Sequence, residues 1–145
     1  MTRRVVSNDP EVGPFVAALA KCTFNPETDN TIGVVDDSRG AARVRGGVIF
    51  TGYTGVSLWM HVGGRDEMWI TRDMLYAAFH YPFEYLGCGT LFGMVEASNS
   101  PALEFNLKIG FHVTAVLPGM FASGPGLVVC MPRNECRWLR RRTWA

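Results

Sequence analysis

Between Gly55 and Glu96 the spacing of apolar residues changes twice, and few architectures accommodate that change. Val56, Leu58, Met60 and Val62 alternate with Ser57, Trp59 and His61, which predicts a strand with one strongly apolar face. After a polar loop from Gly63 to Met68, Thr71 suits a helix N-cap, and Leu75, Phe79, Phe83 and Leu86 then fall on one helical stripe. Pro82 lies inside that stripe and removes one helical hydrogen bond, so a kink or restart is expected beside it. Gly87 and Gly89 release the chain into Thr90 to Glu96, apolar enough for a buried central strand. A strand, a helix and a strand in succession imply a parallel crossover of right-handed sense.

The flanking segments read as antiparallel pieces around that unit. Phe15, Ala18, Leu19 and Cys22 have helical spacing, with Pro14 in the first turn and an end expected near Thr23. Thr31 to Asp36 and Ala42 to Tyr53 read as a hairpin turning at Asp37-Ser38-Arg39-Gly40. Ser100-Pro101 predicts a cap and first turn for a helix with Ala102, Phe105 and Ile109 on one side, stopped by Gly110. Phe111 to Leu117 alternates as a strand, Pro118 to Gly124 reads as a glycine-rich loop, and Leu127 to Met131 is the last strand. The expected class is α/β: one domain over 1–139, a mixed and mostly antiparallel sheet flanked by helices, with a basic tail at 140–145.

Composition fits this reading. A chain of 145 residues can bury a core without staples, and 48% apolar with 19% charged residues excludes disorder for most of it. A net charge of +1 provides no global field for nucleic acid or an anionic membrane, so neither is expected as a partner. No apolar run approaches the roughly 18 to 20 residues of a membrane span. Met1-Thr2-Arg3-Arg4 leads into no signal-peptide core, so a soluble, cytoplasmic protein is expected. Cys22, Cys88, Cys130 and Cys136 are scattered without metal-ligand spacing, and neither a disulfide nor a metal site is expected. Arg133, Arg137 and Arg140 to Arg142, with Trp138 and Trp144, form the one basic cluster, read as a solvated terminal tail.

The segment Glu96 to Phe111 carries a more specific pattern: Asn99 after a buried strand, Ala102 three residues on, Phe105 on an apolar helix face, and Gly110-Phe111 at the exit. It resembles a signature of the GNAT superfamily of acetyltransferases. Trp69 to Leu75, Tyr81-Pro82-Phe83 and Glu135 to Leu139 are similar to the small bacterial and phage branch of that superfamily. The resemblance spans Gly55 to Leu139.

The resemblance implies acetyl-coenzyme A as cosubstrate, a primary amine as acceptor and direct transfer in a ternary complex. It places the thioester where the strands Gly55 to Val62 and Thr90 to Glu96 splay apart, with a backbone N–H near His61 or Val62 stabilising the oxyanion. The pyrophosphate would sit at a helix N-terminus, on the N–H groups of Ile70, Thr71 and Arg72, with Arg72 or Arg65 supplying charge. The family usually has a basic or glutamine residue and two spaced glycines there; Glu67, Ile70 and Arg72 occupy those positions here. Asn99 would face the cofactor gap. Asn106 stands where many members have a tyrosine, and an amide can hydrogen-bond sulfur but gives up no proton.

His61 is the first candidate for the base that deprotonates the amine, because its neutral form is accessible near pH 7. Glu96, ending the neighbouring strand, is the rival, acting through a bridging water. Asp66 and Glu67 read as loop charges, and His80 and His112 as structural or exposed residues. A homodimer is left open. The alternative to an enzyme is a GNAT-fold protein with impaired catalysis that works by binding, suggested by Asn106 and the unusual phosphate loop.

Overall fold

The two hydrophobic periods are realised in one mixed sheet. The computed structural model describes residues 3–66 and 68–139. Within them the chain runs β1 (Arg3–Ser7), α1 (Val12–Ala20), β2 (Asn30–Asp36), β3 (Arg43–Thr51), β4 (Ser57–Gly64), α2 (Arg72–His80), β5 (Thr90–Glu96), α3 (Ser100–Ile109), β6 (His112–Phe121) and β7 (Gly124–Pro132). The sheet order is β1-β2-β3-β4-β5-β7-β6. Neighbouring strands are antiparallel except β4 and β5, which are parallel, with α2 on the connection between them. Glu67, Arg140 to Arg142 and Trp144 lie outside the described residues.

Strand alternation gives the sheet two apolar faces. On one, α1 buries Val12 and Val16 against Val35, Val44 and Ile49. On the other, α2 and α3 cover Leu58, Met60, Leu91, Val95, Val129 and Met131. Phe79 and Phe83 are fully buried there, each contributing about 1.5–3 kcal/mol relative to an exposed ring. Pro82 acts as expected. With no N–H at Pro82 the chain widens into a π-helical turn, Tyr81–Tyr85, closed by the Leu86 N–H donating to the Tyr81 carbonyl at 2.9 Å. The Trp69 indole lies flat over Gly46 and Gly64, in space that a Cβ on either glycine would occupy.

Three expectations need correction. The helix α1 starts at Val12 and buries Val12, Gly13 and Val16, whereas Leu19 is half exposed and Cys22 lies beyond the helix end. Val12 and Val16 sit one turn apart and meet the sheet, while Phe24 folds back over Gly13 and pins that face inward. For α3 the N-cap is Asn99, whose Oδ1 accepts from the Ala102 N–H at 3.2 Å; Ser100 and Pro101 are the first helical residues. The stretch Pro118 to Phe121 is strand rather than loop. As an edge strand β6 tolerates Pro118, and the register irregularity between Leu117 and Phe121 takes in Gly119. Val113, Val116 and Met120 of β6 are consequently exposed rather than core.

The C-terminal arginines that are described also depart from a solvated tail. Arg133 donates to the Phe83 carbonyl and the Glu84 carboxylate, and Arg137 stacks on Trp138 at 4.4 Å while donating to the Lys108 carbonyl. All four cysteines carry free thiols. No helix among the described residues is long and apolar enough to cross a membrane.

The glycine contacts give a stability prediction. Gly64→Ala pushes a methyl into the Trp69 indole and lowers stability by about 1–3 kcal/mol in denaturant unfolding. Gly89→Ala, whose added methyl meets only the Val56 carbonyl at 3.8 Å, stays within about 0.5 kcal/mol of the parent.

Candidate active site

The parallel pair β4 and β5 stays together for three residue pairs, Ser57 with Thr90, Leu58 with Leu91 and Trp59 with Phe92. Both strands then continue, β4 to Gly64 and β5 to Glu96, without pairing to each other. Each remains paired on its outer side, β4 with β3 and β5 with β7. The divergence opens a cavity of about 120 Å³ through the sheet.

The orientation of β4 within this gap follows from its two-residue period. The Val56 carbonyl accepts from the Gly89 and Thr90 N–H groups, so even-numbered residues of β4 turn their backbone groups toward β5. A Cβ built on Gly93 would lie 3.4 Å from the Met60 carbonyl, which faces the same way. The N–H and carbonyl of Val62 therefore point into the gap, and those of His61 point to β3. The sequence left the two equivalent; the geometry separates them.

Side chains divide the cavity by face. His61 and Glu96 project to the α1 face, opposite the buried Met60 and Val95. On the α3 face the same cavity is lined by Asn99, Ala102, Phe105 and Asn106. Asn106 uses one amide N–H on the Ala102 carbonyl at 2.8 Å. Five sequence-derived candidates, His61, Val62, Glu96, Asn99 and Asn106, thus converge on one opening. Ile70, Thr71 and Arg72 do not line it. They stand at the start of α2, where Ile70 borders a separate groove of about 470 Å³ between α2 and α3, shared with the splay cavity only at Phe105. The Thr71 N–H already donates to the Trp69 carbonyl at 3.1 Å, and its hydroxyl caps the Met74 N–H. Asp73 adds a carboxylate to that first turn. The Thr71 N–H is therefore not available to an anion as the chain stands.

Two titratable groups set the electrostatics. Burial lowers the His61 pKa below its ordinary value near 6.5, with the Asp29 carboxylate pulling weakly the other way, so the imidazole is neutral at pH 7. Its Nε2 lies 3.2 Å from the Thr51 hydroxyl, which fixes the ring. Glu96 is held below the usual carboxylate range, first by the hydrogen bond from Ser123 and then by Lys21. The Lys21 Nζ reaches both Glu96 oxygens, at 3.0 and 3.1 Å. This pairing joins the end of α1, the end of β5 and the β6–β7 turn across the cavity mouth.

Lys21, Ser123, Phe121 and Thr51 had no place among the sequence candidates. Only Lys21 carried a signal: the chain has two lysines, Lys21 and Lys108, among fourteen lysine and arginine residues. The partners of Glu96 come from segments 75 and 27 residues away, and no local pattern encodes that meeting.

Comparison with protein-family models gives no match, and comparison with curated protein sequences gives none. Solved structures do match. The spermidine/spermine N-acetyltransferase of Vibrio cholerae in complex with manganese ions superposes with a TM-score of 0.69 at 13% identity, over 92% of this chain and 94% of that one. The spermidine N-acetyltransferase of the same organism in complex with coenzyme A and spermine gives 0.61 at 16% identity, over 78% of this chain and 69% of that one. A dodecameric form of that enzyme gives 0.62 at 17% identity. The fold is that of the GNAT acetyltransferases, as the Asn99 to Phe111 signature implied.

The lowered His61 pKa has a measurable consequence. The unfolded chain binds a proton at this residue more readily than the folded one, so its contribution to stability is fully present above about pH 6.5 and is lost as the pH falls through the lowered folded value. In His61→Gln that part of the pH dependence disappears from denaturant unfolding curves, and in the parent the His61 ring resonances titrate below 6.5.

Proposed function

We propose that this chain transfers an acetyl group from acetyl-coenzyme A to a primary amine, by direct attack within a ternary complex. The observation that carries the proposal is the opening between β4 and β5, which exposes the Val62 backbone on its rim and joins an α3 face to an α1 face bearing His61 and Glu96. An extended arm with amide groups can continue the sheet along the unpaired edges of β4 and β5, which fits the pantetheine of coenzyme A. Acetyl-coenzyme A would supply the thioester to be attacked; the protein supplies alignment, charge and a proton acceptor.

In this reading the Val62 N–H donates to the oxygen that gains negative charge during attack. Glu96, kept ionised by Ser123 and Lys21, attracts an ammonium to the mouth on the α1 face. The neutral His61 takes the amine proton, directly or through water, and Thr51 holds its ring. Asn106 keeps one N–H for the sulfur, and the thiolate departs without a general acid. Asn99 caps α3 and so sets where that helix begins beside the gap. Ile70 and Arg72 remain the candidates for the pyrophosphate end, with the α2–α3 groove leading from it to Phe105. The chain's fold and the bacterial origin of its structural neighbours support a cytoplasmic enzyme of bacterial or phage type, with residues 1–139 as its domain and 140–145 as a basic tail. The exposed apolar side of the edge strand β6 supports a homodimer.

The test is titration calorimetry with acetyl-coenzyme A, followed by coenzyme A release on a panel of primary amines that includes spermidine and spermine. Binding together with release on at least one amine supports the enzyme. Binding with no release on any amine supports a protein that works by binding alone. His61→Gln is expected to lower the rate by about 10² to 10⁴, and to remove a rising limb of the pH profile whose midpoint lies below the ordinary histidine value.

A further inference from the structure

Lys21 stands where helix ends usually favour glycine. It closes α1 in the left-handed conformation, with φ at 57°, which is strained for a residue with a side chain. That backbone fixes its Cα at the rim of the splay cavity, and its side chain lines the cavity together with His61, Val62 and Glu96. Nζ is seated on the Glu96 carboxylate at 3.0 Å, and the side chain is 59% exposed at the cavity mouth. An amine held against Glu96 is also what the acetyl-transfer reading requires of an external acceptor. The chain supplies one of its own.

We propose that Lys21 is a self-acetylation site: with acetyl-coenzyme A bound and no external amine present, the chain acetylates its own Lys21 Nζ. This inference rests on the acetyl-transfer reading of the same cavity. The Nζ ammonium first gives a proton to the neutral His61 imidazole on the same face, directly or through water, leaving a lone pair. That pair attacks the acetyl carbonyl carbon, forming the C–N bond as the C–S bond breaks. Coenzyme A leaves as thiolate and is neutralised by the second proton lost from Nζ, and the proton on His61 passes to solvent. The product side chain is an uncharged amide, which no longer pairs with Glu96. Glu96 then keeps Ser123 and is open to an external ammonium, so the modification would change the mouth from self-occupied to receptive.

The chain contains its own control. Lys108 is exposed on α3 beside the α2–α3 groove, and it is the one other lysine. The full-length protein, checked for unmodified starting mass, is incubated with acetyl-coenzyme A alone and sampled over time by peptide mass spectrometry. Lys21 is expected to gain an acetyl group at least about tenfold faster than Lys108, because its amine is already held on Glu96 at the cavity mouth. The rate constant should not change with protein concentration, as transfer within one chain requires. Lys21→Arg, which keeps the cation beside Glu96, removes the modification, and Glu96→Gln slows it without changing Lys108.

Equal rates at the two lysines, or a Lys21 rate that scales with protein concentration, overturn the inference. The amine panel run in parallel separates two kinds of failure. Release of coenzyme A on an amine with Lys21 unmodified defeats self-acetylation and leaves acetyl transfer standing. Absence of both release and modification defeats both.

Discussion

A parallel strand pair inside a compact sheet normally keeps its ladder, because every buried N–H and carbonyl left unpaired is costly. Here β4 and β5 part after Trp59 and Phe92, although both strands remain regular on their outer sides. That arrangement requires anchors on each strand that outweigh the lost pairs. For β4 they are its pairing with β3 from Trp59 to Gly64 and the Trp69 indole packed over Gly64; for β5, the pairing with β7 along its whole length and the burial of Leu91 and Val95. The opening is thus held by its frame. Its depth, and the fact that it passes through the sheet, follow from which elements cover each face: α1 on one side and α3 on the other.

The electrostatics of the opening depend on the same frame. β4 turns His61 to the α1 face, where partial burial keeps it neutral, and β5 ends with Glu96 on that same face. The end of α1 and the β6–β7 turn then bring Lys21 and Ser123 to Glu96. One group is uncharged and able to accept a proton; the other is charged and able to hold a cation. Two residues on adjacent strands acquire different roles from their surroundings rather than from their own chemistry.

Much of this was legible in the sequence wherever the signal was local. The change from alternating to helical spacing after Val62, the cap at Thr71 and the proline at Pro82 each depend on a few neighbouring residues, and all appear in the structure. The helix α1 was misaligned because its buried face is decided by Phe24 folding back over Gly13, a contact outside the helix. The extension of β6 through Pro118 and Gly119 was hidden because an edge strand needs its backbone groups on one side only. Five candidate residues reached one cavity because they lie on the crossover and the helix after it. Those at the start of α2 did not: Ile70 borders a different groove, and Thr71 and Arg72 line neither.

The most direct test of the account is the amide exchange of β4, residue by residue, by NMR with and without acetyl-coenzyme A. The Val62 N–H, turned into the gap, should exchange quickly in the free protein and slow markedly when acetyl-coenzyme A is bound, while the His61 N–H, turned to β3, stays protected in both states. A Val62 amide unaffected by saturating acetyl-coenzyme A would contradict the claim that the parted strands hold the reacting thioester.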